Sequence, residues 1–542
     1  MKRFAVASIV LSLLCATTLT ADEYPRNWDV DVVHYRFQLD LGDDTDEIAG
    51  EAEISVRFAK QGIGAFSLDL IGKREGAATG MQVSDVTRDG VSLAHTHVDD
   101  VLTITLATPS VADERRVFSV RYRGVPADGL IIDANMHGDR TFFGDNWPNR
   151  ARHWLPTVDH VSDKATVEWV VVAPDHYQVV GNGALVELTD IGDGTRRTHW
   201  ASTVPMPTKV MVIGAARFAV QHVGVVAGVP VQSWVYPQNR DAGFYDYALA
   251  ERVLRFFDGH VGPFPYAKLA NVQSKTRYGG MENAGNIFYN ERSVRGTRGS
   301  EGLIAHEVAH QWFGDSVTER DWHHIWLSEG FATYFTQLYN EFTHGHDVLQ
   351  RGMGNARRTV IGFHGRNPGQ ALIAQELTDP NDMLNSNAYQ KGGWLLHMLR
   401  RQMGDVAFWQ GIRDYYREYR DSNALTEDLQ RIMESASGQD LEWFFRQWAY
   451  TPGHPVLAGS WRYDAGSGRV DVTIRQEQSS GETFRFPLDL GIGFGNAATT
   501  FIETVEIESA EQSFSFEVED APTELILDPE TWLLYEGELS RR

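Results

Sequence analysis

The most informative stretch of the sequence is His306-Glu307-Val308-Ala309-His310, in which the two histidines are four residues apart. On a helix, such residues lie on the same face, so both imidazoles can bind one metal ion. Glu307 then lies beside the metal and can act as a base for a bound water. The pattern alone also fits a surface helix with two solvated histidines, so a further ligand has to be found elsewhere in the sequence.

A zinc hydrolase keeps three protein ligands and one open position for water or substrate. The candidate for the third ligand is Glu329, which eighteen residues separate from His310. Ser328 is expected to cap a new helix at this point, and this helix could lie antiparallel to the first one. The chain has one cysteine, Cys15, which excludes a thiolate cluster and leaves histidine and carboxylate as metal ligands.

Two blocks of the sequence resemble the active site of a known family. HEVAHQWFGD at residues 306–315, followed by Val317-Thr318, and WLSEGFATY at residues 326–334 are similar to the active-site block of the gluzincin aminopeptidases, peptidase family M1. The resemblance implies that Glu307 is the general base. It also implies one Zn2+ per chain, held by three protein ligands: His306, His310 and Glu329.

An upstream segment, Gly279-Gly280-Met281-Glu282-Asn283, resembles the exopeptidase signature of the same family. We expect it to form an edge strand whose glycines let a substrate backbone approach closely. Glu282 is expected to hold the free α-ammonium group of a peptide, so that only the first peptide bond is cleaved. For this segment alone, the alternative is a glycine-rich turn with a solvated glutamate. All five residues are therefore candidates for substrate binding.

Tyr389 precedes Gln390-Lys391-Gly392 and opens a segment with helical spacing. Family M1 carries a tyrosine followed by a Lys-Gly pair at about this distance from the third ligand. The resemblance implies that the Tyr389 hydroxyl stabilises the oxyanion of the reaction. A hydroxyl aimed at developing negative charge can contribute about 2.7–4 kcal/mol in a transition state. On composition alone, a buried core tyrosine is the alternative.

The sequence departs from the family at Trp147, which stands where many members carry a glutamine or glutamate that helps to hold the amine. We expect Trp147 to bind substrate by walling the pocket for the first side chain, with Asp145 or Asn146 supplying a polar contact. Core packing of Trp147 is the alternative. His323 and His324 are near the site in sequence, but nothing marks them as ligands, and we expect exposed polar side chains there.

Changes in hydrophobic period divide the chain into three domains after a leader segment. Alternating apolar residues predict an N-terminal β-sheet domain over residues 22–236. Helical spacing predicts a mainly helical domain over residues 237–453, which the resemblance identifies as a thermolysin-like zinc catalytic domain. Alternation returns over residues 454–542 and predicts a β-sandwich. The expected fold class is multidomain α+β, in a short three-domain form with a more open cleft than in larger M1 members.

The N-terminal residues predict export. Lys2 and Arg3 precede an apolar stretch that ends near Ala16, as in a secretory signal peptide over residues 1–21. We therefore expect a periplasmic or secreted protein, with lipid attachment at Cys15 as an alternative. No later segment approaches the roughly 18 apolar residues that an integral membrane segment requires.

The chain carries 49 Lys and Arg residues against 73 Asp and Glu residues, which gives a net charge of −24. This charge repels phosphate backbones and argues against nucleic acid as a partner. The expected partners are peptides with a free N-terminus, from which a zinc aminopeptidase would release neutral or hydrophobic residues. A thermolysin-like endopeptidase, an epoxide hydrolase side activity and a retired enzyme that only binds peptides are the alternatives. The sequence indicates no oligomeric state.

Overall fold

Strands dominate both ends of the chain and helices dominate its middle, which confirms the predicted multidomain α+β fold class. The predicted signal peptide, with Cys15, lies outside the described residues. The computed structural model describes four stretches of the chain: residues 22–373, 379–479, 481–495 and 501–542.

The N-terminal strands form where apolar residues alternate, because every second side chain of a strand faces the core. Tyr35, Phe37 and Leu39 of the first strand are fully buried, whereas the residues between them are partly exposed. The strands of this region are β1 (Val30–Asp40), β2 (Ile48–Phe58), β3 (Ala65–Asp69), β4 (Gly80–Arg88), β5 (Val91–Ser92), β6 (His95–Val98), β7 (Val101–Thr105), β8 (Glu114–Val125), β9 (Leu130–Ala134), β10 (Arg140–Gly144), β11 (Lys164–Pro174), β12 (Gln178–Gly181), β13 (Ala184–Asp190), β14 (Thr195–Pro207) and β15 (Ile213–Ala216).

These strands build three sheets. An eight-stranded sheet has the order β13-β14-β11-β1-β2-β8-β4-β5, and its strands are antiparallel except for the parallel pair β1 and β11. A four-stranded sheet has the order β12-β15-β10-β9, and a three-stranded sheet has the order β3-β7-β6. The loop after β10 carries Trp147, so this region supplies one side chain to the neighbourhood of the predicted site.

The middle of the chain contains a five-stranded sheet with the order β16-β17-β18-β20-β19. β17, β18 and β20 run parallel, and β19 pairs antiparallel with β20 at the edge. The predicted boundary between residues 236 and 237 divides this sheet, and a boundary before Ala219 keeps it whole. Hydrophobic alternation does not reveal which sheet a strand joins. The strands of this region are β16 (Ala219–Val226), β17 (Val229–Val235), β18 (Leu269–Ser274), β19 (Gly280–Met281), β20 (Asn286–Asn290) and the pair β21 (Val317–Glu319) and β22 (Ser422–Ala424).

The helices of the middle region pack around one long central helix, α4, which buries Phe331 and Phe335 in the core. Gly345 ends α4 with a φ of 92°, a conformation that glycine adopts without strain. Within the described stretches, no helix combines the length and the apolar character needed to cross a membrane. The helices are α1 (Arg240–Tyr247), α2 (Leu249–His260), α3 (Glu301–His310), α4 (Trp326–His344), α5 (His346–Arg366), α6 (Gly392–Met403), α7 (Asp405–Tyr419), α8 (Thr426–Ser437) and α9 (Glu442–Phe445).

Short helical turns connect these elements. π-helical turns span Asn387–Lys391 and Arg446–Tyr450, and the first of them carries Tyr389. 3₁₀ turns span Ala151–His153, Thr208–Val210, Pro237–Asn239, Glu291–Ser293, Trp322–His324 and Pro380–Met383.

The C-terminal region forms two sheets, with the orders β27-β24-β23-β29 and β26-β25-β28. The loop between β28 and β29 docks on the helices, where the ring of Trp532 stacks on His397 of α6 with centroids 4.6 Å apart. The strands are β23 (Val456–Asp464), β24 (Arg469–Gln476), β25 (Phe486–Gly493), β26 (Phe501–Ile507), β27 (Glu511–Glu517), β28 (Glu524–Leu527) and β29 (Glu536–Arg541).

Candidate active site

Three donor atoms from α3 and α4 converge on one point. The Nε2 atoms of His306 and His310 are 3.1 Å apart, and Glu329 Oε2 lies 3.4 Å from each of them. His310 and Glu329 are buried, and His306 is partly exposed. Because the two histidines are four residues apart on α3, both rings lie on the face that Glu329 of α4 approaches. The structure thus brings the three predicted ligands together.

This donor set fits a zinc ion. Zinc binds imidazole nitrogens at about 2.0–2.1 Å in tetrahedral sites, which puts two such nitrogens about 3.3 Å apart. The separations of 3.1 and 3.4 Å between the donor atoms match that geometry. Glu329 Oε2 is also buried without a hydrogen-bond partner among the described residues. A buried carboxylate oxygen in that state is costly unless a cation neutralises it.

The ring of His310 is held on its far side. Its Nδ1 atom lies 3.1 Å from the carbonyl oxygen of Phe313 and 3.1 Å from the hydroxyl oxygen of Ser328. A histidine that turns Nε2 to a metal carries its proton on Nδ1, so these oxygens are its acceptors. The prediction that Ser328 caps α4 is wrong, because α4 already begins at Trp326 and Ser328 is fully buried inside it.

The helices α4 and α6 cross at two glycines. A Cβ atom on Gly330 would lie only 2.8 Å from the Cα atom of Gly392, so a larger residue would push the helices apart. This close approach places the π-helical turn Asn387–Lys391 against α4. Tyr389 in that turn lies parallel to the ring of His306, with centroids 6.1 Å apart. The crossing therefore positions Tyr389 beside the metal ligands.

The hydroxyl of Tyr389 remains a hydrogen-bond donor. Burial raises the pKa of Tyr389 above its ordinary value, and the negative charges of Glu329 and Glu282 add to the rise. A protonated phenol in this position can donate to an oxygen that gains negative charge.

A second cluster joins Glu282, Glu307 and His310, whose ligating atoms lie within 4.8 Å of one another. Burial raises the pKa of Glu307 well above its ordinary value; the charge of Glu282 adds to the rise, whereas His310 opposes it. A carboxylate with a raised pKa is suited to moving protons near neutral pH. Two buried carboxylates so close together also favour a positive charge between or beside them.

The segment before Glu282 forms an edge strand, which confirms that expectation. A Cβ atom on Gly280 would collide with the carboxylate of Glu307, so only glycine lets β19 lie this close to α3. Gln311 fixes the arrangement: its Nε2 atom donates to the carbonyl oxygen of Glu282 at 2.5 Å, and its Oε1 atom accepts from Gly285 N at 2.7 Å. The sequence reasoning missed Gln311, although it directly follows the second histidine.

One cavity of about 270 Å³ contains this chemistry. Among the predicted site residues, Asn283 alone does not line it; its side chain is fully buried behind the strand. The lining residues are Trp147, Tyr278, Gly279, Gly280, Met281, Glu282, Leu303, His306, Glu307, His310, Glu329, Leu384 and Tyr389.

Three of these lining residues, Tyr278, Leu303 and Leu384, were not predicted. Leu303 lies three residues before His306 on α3, so helical spacing could have identified it. Leu384 follows a 3₁₀ turn far along the chain, and no local signal marks it.

Trp147 both walls the cavity and packs against neighbours. It is 2% exposed, and its ring contacts Tyr278 and Trp322 edge-to-face, with centroids 5.9 and 5.7 Å apart. The position of Trp147 is therefore compatible with both predicted roles, a pocket wall and core packing.

The polar contact expected from Asp145 or Asn146 is wrong, because both side chains are fully buried outside the cavity. Asp145 Oδ1 accepts from Arg150 Nη2 at 3.0 Å, and Asn146 Nδ2 donates to the carbonyl oxygen of Met211 at 2.6 Å. Asp145 Oδ2 also accepts from Arg277 N at 3.3 Å. Both side chains are therefore engaged by protein partners and do not line the substrate cavity.

The expectation that His323 and His324 are exposed is also wrong. They are 6% and 5% exposed, respectively. His323 Nδ1 lies 2.6 Å from Asp321 Oδ1, and His324 Nδ1 lies 2.9 Å from Thr426 Oγ1. Both histidines belong to the 3₁₀ turn before α4, which the start of α8 covers, so their role is in packing and hydrogen bonding.

A larger cavity of about 530 Å³ lies in the N-terminal β region, between Tyr24, Trp28 and the strand β3. None of the predicted site residues lines it. The volume of a cavity alone does not decide where chemistry occurs, and the convergence of donor atoms favours the smaller one.

Two family models match the chain. The model described as the peptidase family M1 domain matches residues 245–448, and the model described as the peptidase M1 N-terminal domain matches residues 32–210. The first range contains the candidate metal ligands, and the second contains most of the N-terminal strands.

Relatives of the chain include aminopeptidase 2 of Candida albicans, which is 25% identical over 355 residues, covering 62% of this chain and 37% of that protein. Puromycin-sensitive aminopeptidase of Caenorhabditis elegans is 26% identical over 68% of this chain and 41% of its own length. The human thyrotropin-releasing hormone-degrading ectoenzyme is 28% identical over 59% of this chain and 32% of its own length. The chain thus spans less than half of the length of each of these relatives.

Two solved structures are similar in fold. A variant of an M1 zinc metallopeptidase from Deinococcus radiodurans aligns with a TM-score of 0.67 at 24% identity, covering 79% of this chain and 96% of that one. Aminopeptidase A of Legionella pneumophila, in complex with aspartic acid, aligns with a TM-score of 0.80 at 17% identity, covering 95% of this chain and 60% of that one.

Proposed function

Because the chain belongs to peptidase family M1, we propose that it is a zinc-dependent aminopeptidase that hydrolyses the N-terminal peptide bond of peptides. The observation that carries this proposal is the position of Glu282, whose carboxylate lies within 4.8 Å of ligating atoms of both Glu307 and His310. A carboxylate at that distance from the reacting centre can hold the α-ammonium group of a peptide while its first carbonyl reaches the metal.

The position of Glu282 argues against an endopeptidase. An endopeptidase substrate passes an uncharged peptide group through this place, which would leave the buried carboxylate of Glu282 without a cation. A free N-terminus supplies that cation. The edge strand β19 offers main-chain groups to the first residues of the substrate in either case.

The chain's own residues account for proton movement. Glu307 accepts the proton of the attacking water and later transfers it to the leaving amine. His306, His310 and Glu329 would hold one zinc ion, which when bound supplies Lewis-acid polarisation and lowers the pKa of a bound water to about 7. Tyr389 donates a hydrogen bond to the substrate's carbonyl oxygen as that oxygen becomes negative.

Neutral or hydrophobic N-terminal residues fit this cavity best. The apolar side chains that line the cavity include Trp147, Met281, Leu303 and Leu384. They offer apolar surface and no charge to the first side chain, which favours apolar residues through burial.

Export is a further part of the proposal. Lys2 and Arg3 precede an apolar stretch with the length of a signal peptide. N-terminal sequencing of the protein from periplasm or medium should give a first residue at Asp22 if cleavage follows Ala21. Recovery of a chain that still carries Lys2 would contradict this part alone.

The test of aminopeptidase activity compares a peptide with a free N-terminus and the same peptide N-acetylated. We expect cleavage after the first residue of the free peptide, no cleavage of the acetylated one, and loss of activity with a chelator. Glu282→Gln removes the negative charge and should lower kcat/KM on the free peptide about 10- to 150-fold. This range corresponds to the loss of a hydrogen bond to a charged group, which contributes ~1.5–3 kcal/mol. Equal rates on both peptides would establish an endopeptidase instead.

A further inference from the structure

Asn387 precedes Tyr389 by two residues in the same π-helical turn, and its side chain has a fixed orientation. The Nδ2 atom donates both of its hydrogens to main-chain carbonyls, to Gln370 O at 3.1 Å and to Ala371 O at 2.9 Å. Asn387 Oδ1 is therefore an acceptor. Since Asn387 is 2% exposed, that acceptor needs a donor from the protein.

His364 of α5 supplies this donor. Its Nε2 atom lies 3.0 Å from Asn387 Oδ1, so it carries the ring proton. Burial, together with the charge of Lys391, lowers the pKa of His364 to about 3, so the ring is neutral. A neutral imidazole with its proton on Nε2 has only an acceptor at Nδ1.

His454 completes the chain of hydrogen bonds. Its Nδ1 atom lies 2.8 Å from His364 Nδ1, and because that atom is an acceptor, His454 Nδ1 must be the donor. The two rings stack with centroids 5.1 Å apart. The direction of donation is thus the same throughout: from His454 to His364, and from His364 to Asn387.

This chain of hydrogen bonds joins the C-terminal region to the Tyr389 turn. His454 lies two residues before β23, the first C-terminal strand. A second contact runs beside it, since Lys391 Nζ donates to the carbonyl oxygen of Thr451 at 3.3 Å. Both ends of the π-helical turn, at Asn387 and Lys391, are therefore held by hydrogen bonds to residues outside α4.

We propose that His364 is a positioning residue for Tyr389, acting through Asn387 and oriented by His454. The inference rests on the proposed function, because it concerns the hydroxyl that donates to the reacting oxygen. π-helical turns are rare, and they occur often at functional sites. A displacement of about 1 Å at a reacting group can lower a rate by as much as 100-fold.

The proposal predicts a defect in turnover and not in binding. Glu282 and the metal ligands, which hold the substrate in the ground state, do not contact His364. Removing the hydrogen bonds in His364→Leu should therefore lower kcat about tenfold and leave KM within about twofold, because the Tyr389 interaction strengthens only in the transition state. His364→Gln, which can still donate and accept, should retain most of the activity.

The decisive experiment is a double-mutant cycle on an aminoacyl chromogenic substrate, with zinc content and melting temperature measured for each variant. The cycle combines His364→Leu with Tyr389→Phe, and the exposed α5 residue Thr359, as Thr359→Ala, serves as control. If His364 acts through the hydroxyl, His364→Leu should change kcat less than twofold in the Tyr389→Phe background. Should His364→Leu fail to fold, His454→Leu removes the donor at the other end and replaces it in the cycle.

An equal loss of kcat in both backgrounds would overturn the positioning role and leave the proposed function intact. A rise in KM as large as the fall in kcat would also overturn it. Wild-type kcat in Tyr389→Phe itself would remove the role of the hydroxyl from the proposed function, and the positioning role with it.

Discussion

At the scale of single residues, the site depends on the space left free at Gly280 and on the space filled by Trp147. Gly280 has no side chain, and any Cβ atom there would collide with the carboxylate of Glu307. Trp147 instead fills space, since its ring lines the cavity and packs against Tyr278 and Trp322. The first leaves room for the carboxylate of Glu307 beside β19, and the second limits the space of the cavity.

Trp147→Ala should change substrate selectivity. Removing the indole enlarges the cavity, so kcat/KM for an N-terminal Trp or Phe should rise about tenfold relative to that for Ala, the scale expected of apolar pocket contacts. The measurement is a panel of aminoacyl chromogenic substrates at fixed zinc. Trp461→Ala, at a buried tryptophan of the C-terminal strand β23, controls for lost stability. Unchanged ratios across the panel would leave packing as the role of Trp147.

At the scale of elements, the site is a crossing of α3, α4 and the turn before α6. α3 contributes two of the proposed ligands and the proposed general base, and its period of 3.6 residues places the two histidines on one face. α4 contributes Glu329, and its contact with α6 at Gly330 and Gly392 sets the distance to the Tyr389 turn. The chemistry therefore depends on how closely helices approach one another as well as on which residues they carry.

Gly392→Ala should impair both activity and stability. The new Cβ atom would lie 2.9 Å from Gly330 Cα, and relieving such overpacking costs about 1–3 kcal/mol, more than the roughly 1 kcal/mol that alanine gains over glycine in a helix. We expect a lower melting temperature and a lower kcat on an aminoacyl substrate.

The neighbouring Gly393→Ala is the matched control for this helix. Its Cβ atom would lie 3.3 Å from the methyl group of Thr333 and at ordinary contact distances of 3.6 and 3.7 Å from main-chain atoms of Tyr334 and Gly330, so its effect should be clearly smaller. If the two variants behaved alike in melting temperature and kcat, the crossing would not position the site.

At the scale of the whole molecule, buried polar contacts join the N-terminal β region to the catalytic helices. Lys209 Nζ lies 2.6 Å from Glu319 Oε1, and the two residues are 1% and 0% exposed. Lys164 Nζ donates to the carbonyl oxygens of Asp315 and Ser316 at 3.0 and 2.7 Å. These contacts are made to residues 315–319, which follow α3, so the N-terminal β region helps to fix the position of that segment.

Lys209→Met should destabilise the folded protein by about 3–5 kcal/mol, because it leaves Glu319 buried without a cation. Urea denaturation measures the change in the free energy of unfolding. The double variant Lys209→Met with Glu319→Leu should recover most of the loss, since an apolar pair of similar volume is often as stable as a buried ion pair. A single variant within about 1 kcal/mol of wild type would contradict the importance assigned to this pair.

Local pattern was sufficient to predict that His306 and His310 lie together, because a helix places residues four apart on one face whatever the rest of the fold does. The third predicted ligand, Glu329, lies beside them on α4. Local pattern was insufficient for Leu384, which only tertiary packing brings to the cavity. It also misplaced Ser328: a cap there would start α4 at Glu329, whereas α4 begins three residues earlier at Trp326 and buries Ser328 inside it.

Assignment to sheets was the other limit of prediction. The predicted N-terminal β domain included the residues of β16 and β17, but these strands pair with each other and with β18 in the central sheet. The expectation that His324 is exposed was also wrong, because its ring bonds to Thr426 of α8, about a hundred residues later in the chain. A contact between residues so far apart in the chain leaves no local signal in the sequence.

The central claim, that Glu307 is the base of a zinc aminopeptidase site, is tested most directly by Glu307→Gln. The variant keeps the shape of the side chain and the three ligands, so metal analysis should find one zinc ion per chain as in the wild type. General-base catalysis contributes about 10²- to 10⁴-fold, and kcat/KM on an aminoacyl substrate should fall by that factor. Wild-type activity in a variant with full zinc content would contradict the account.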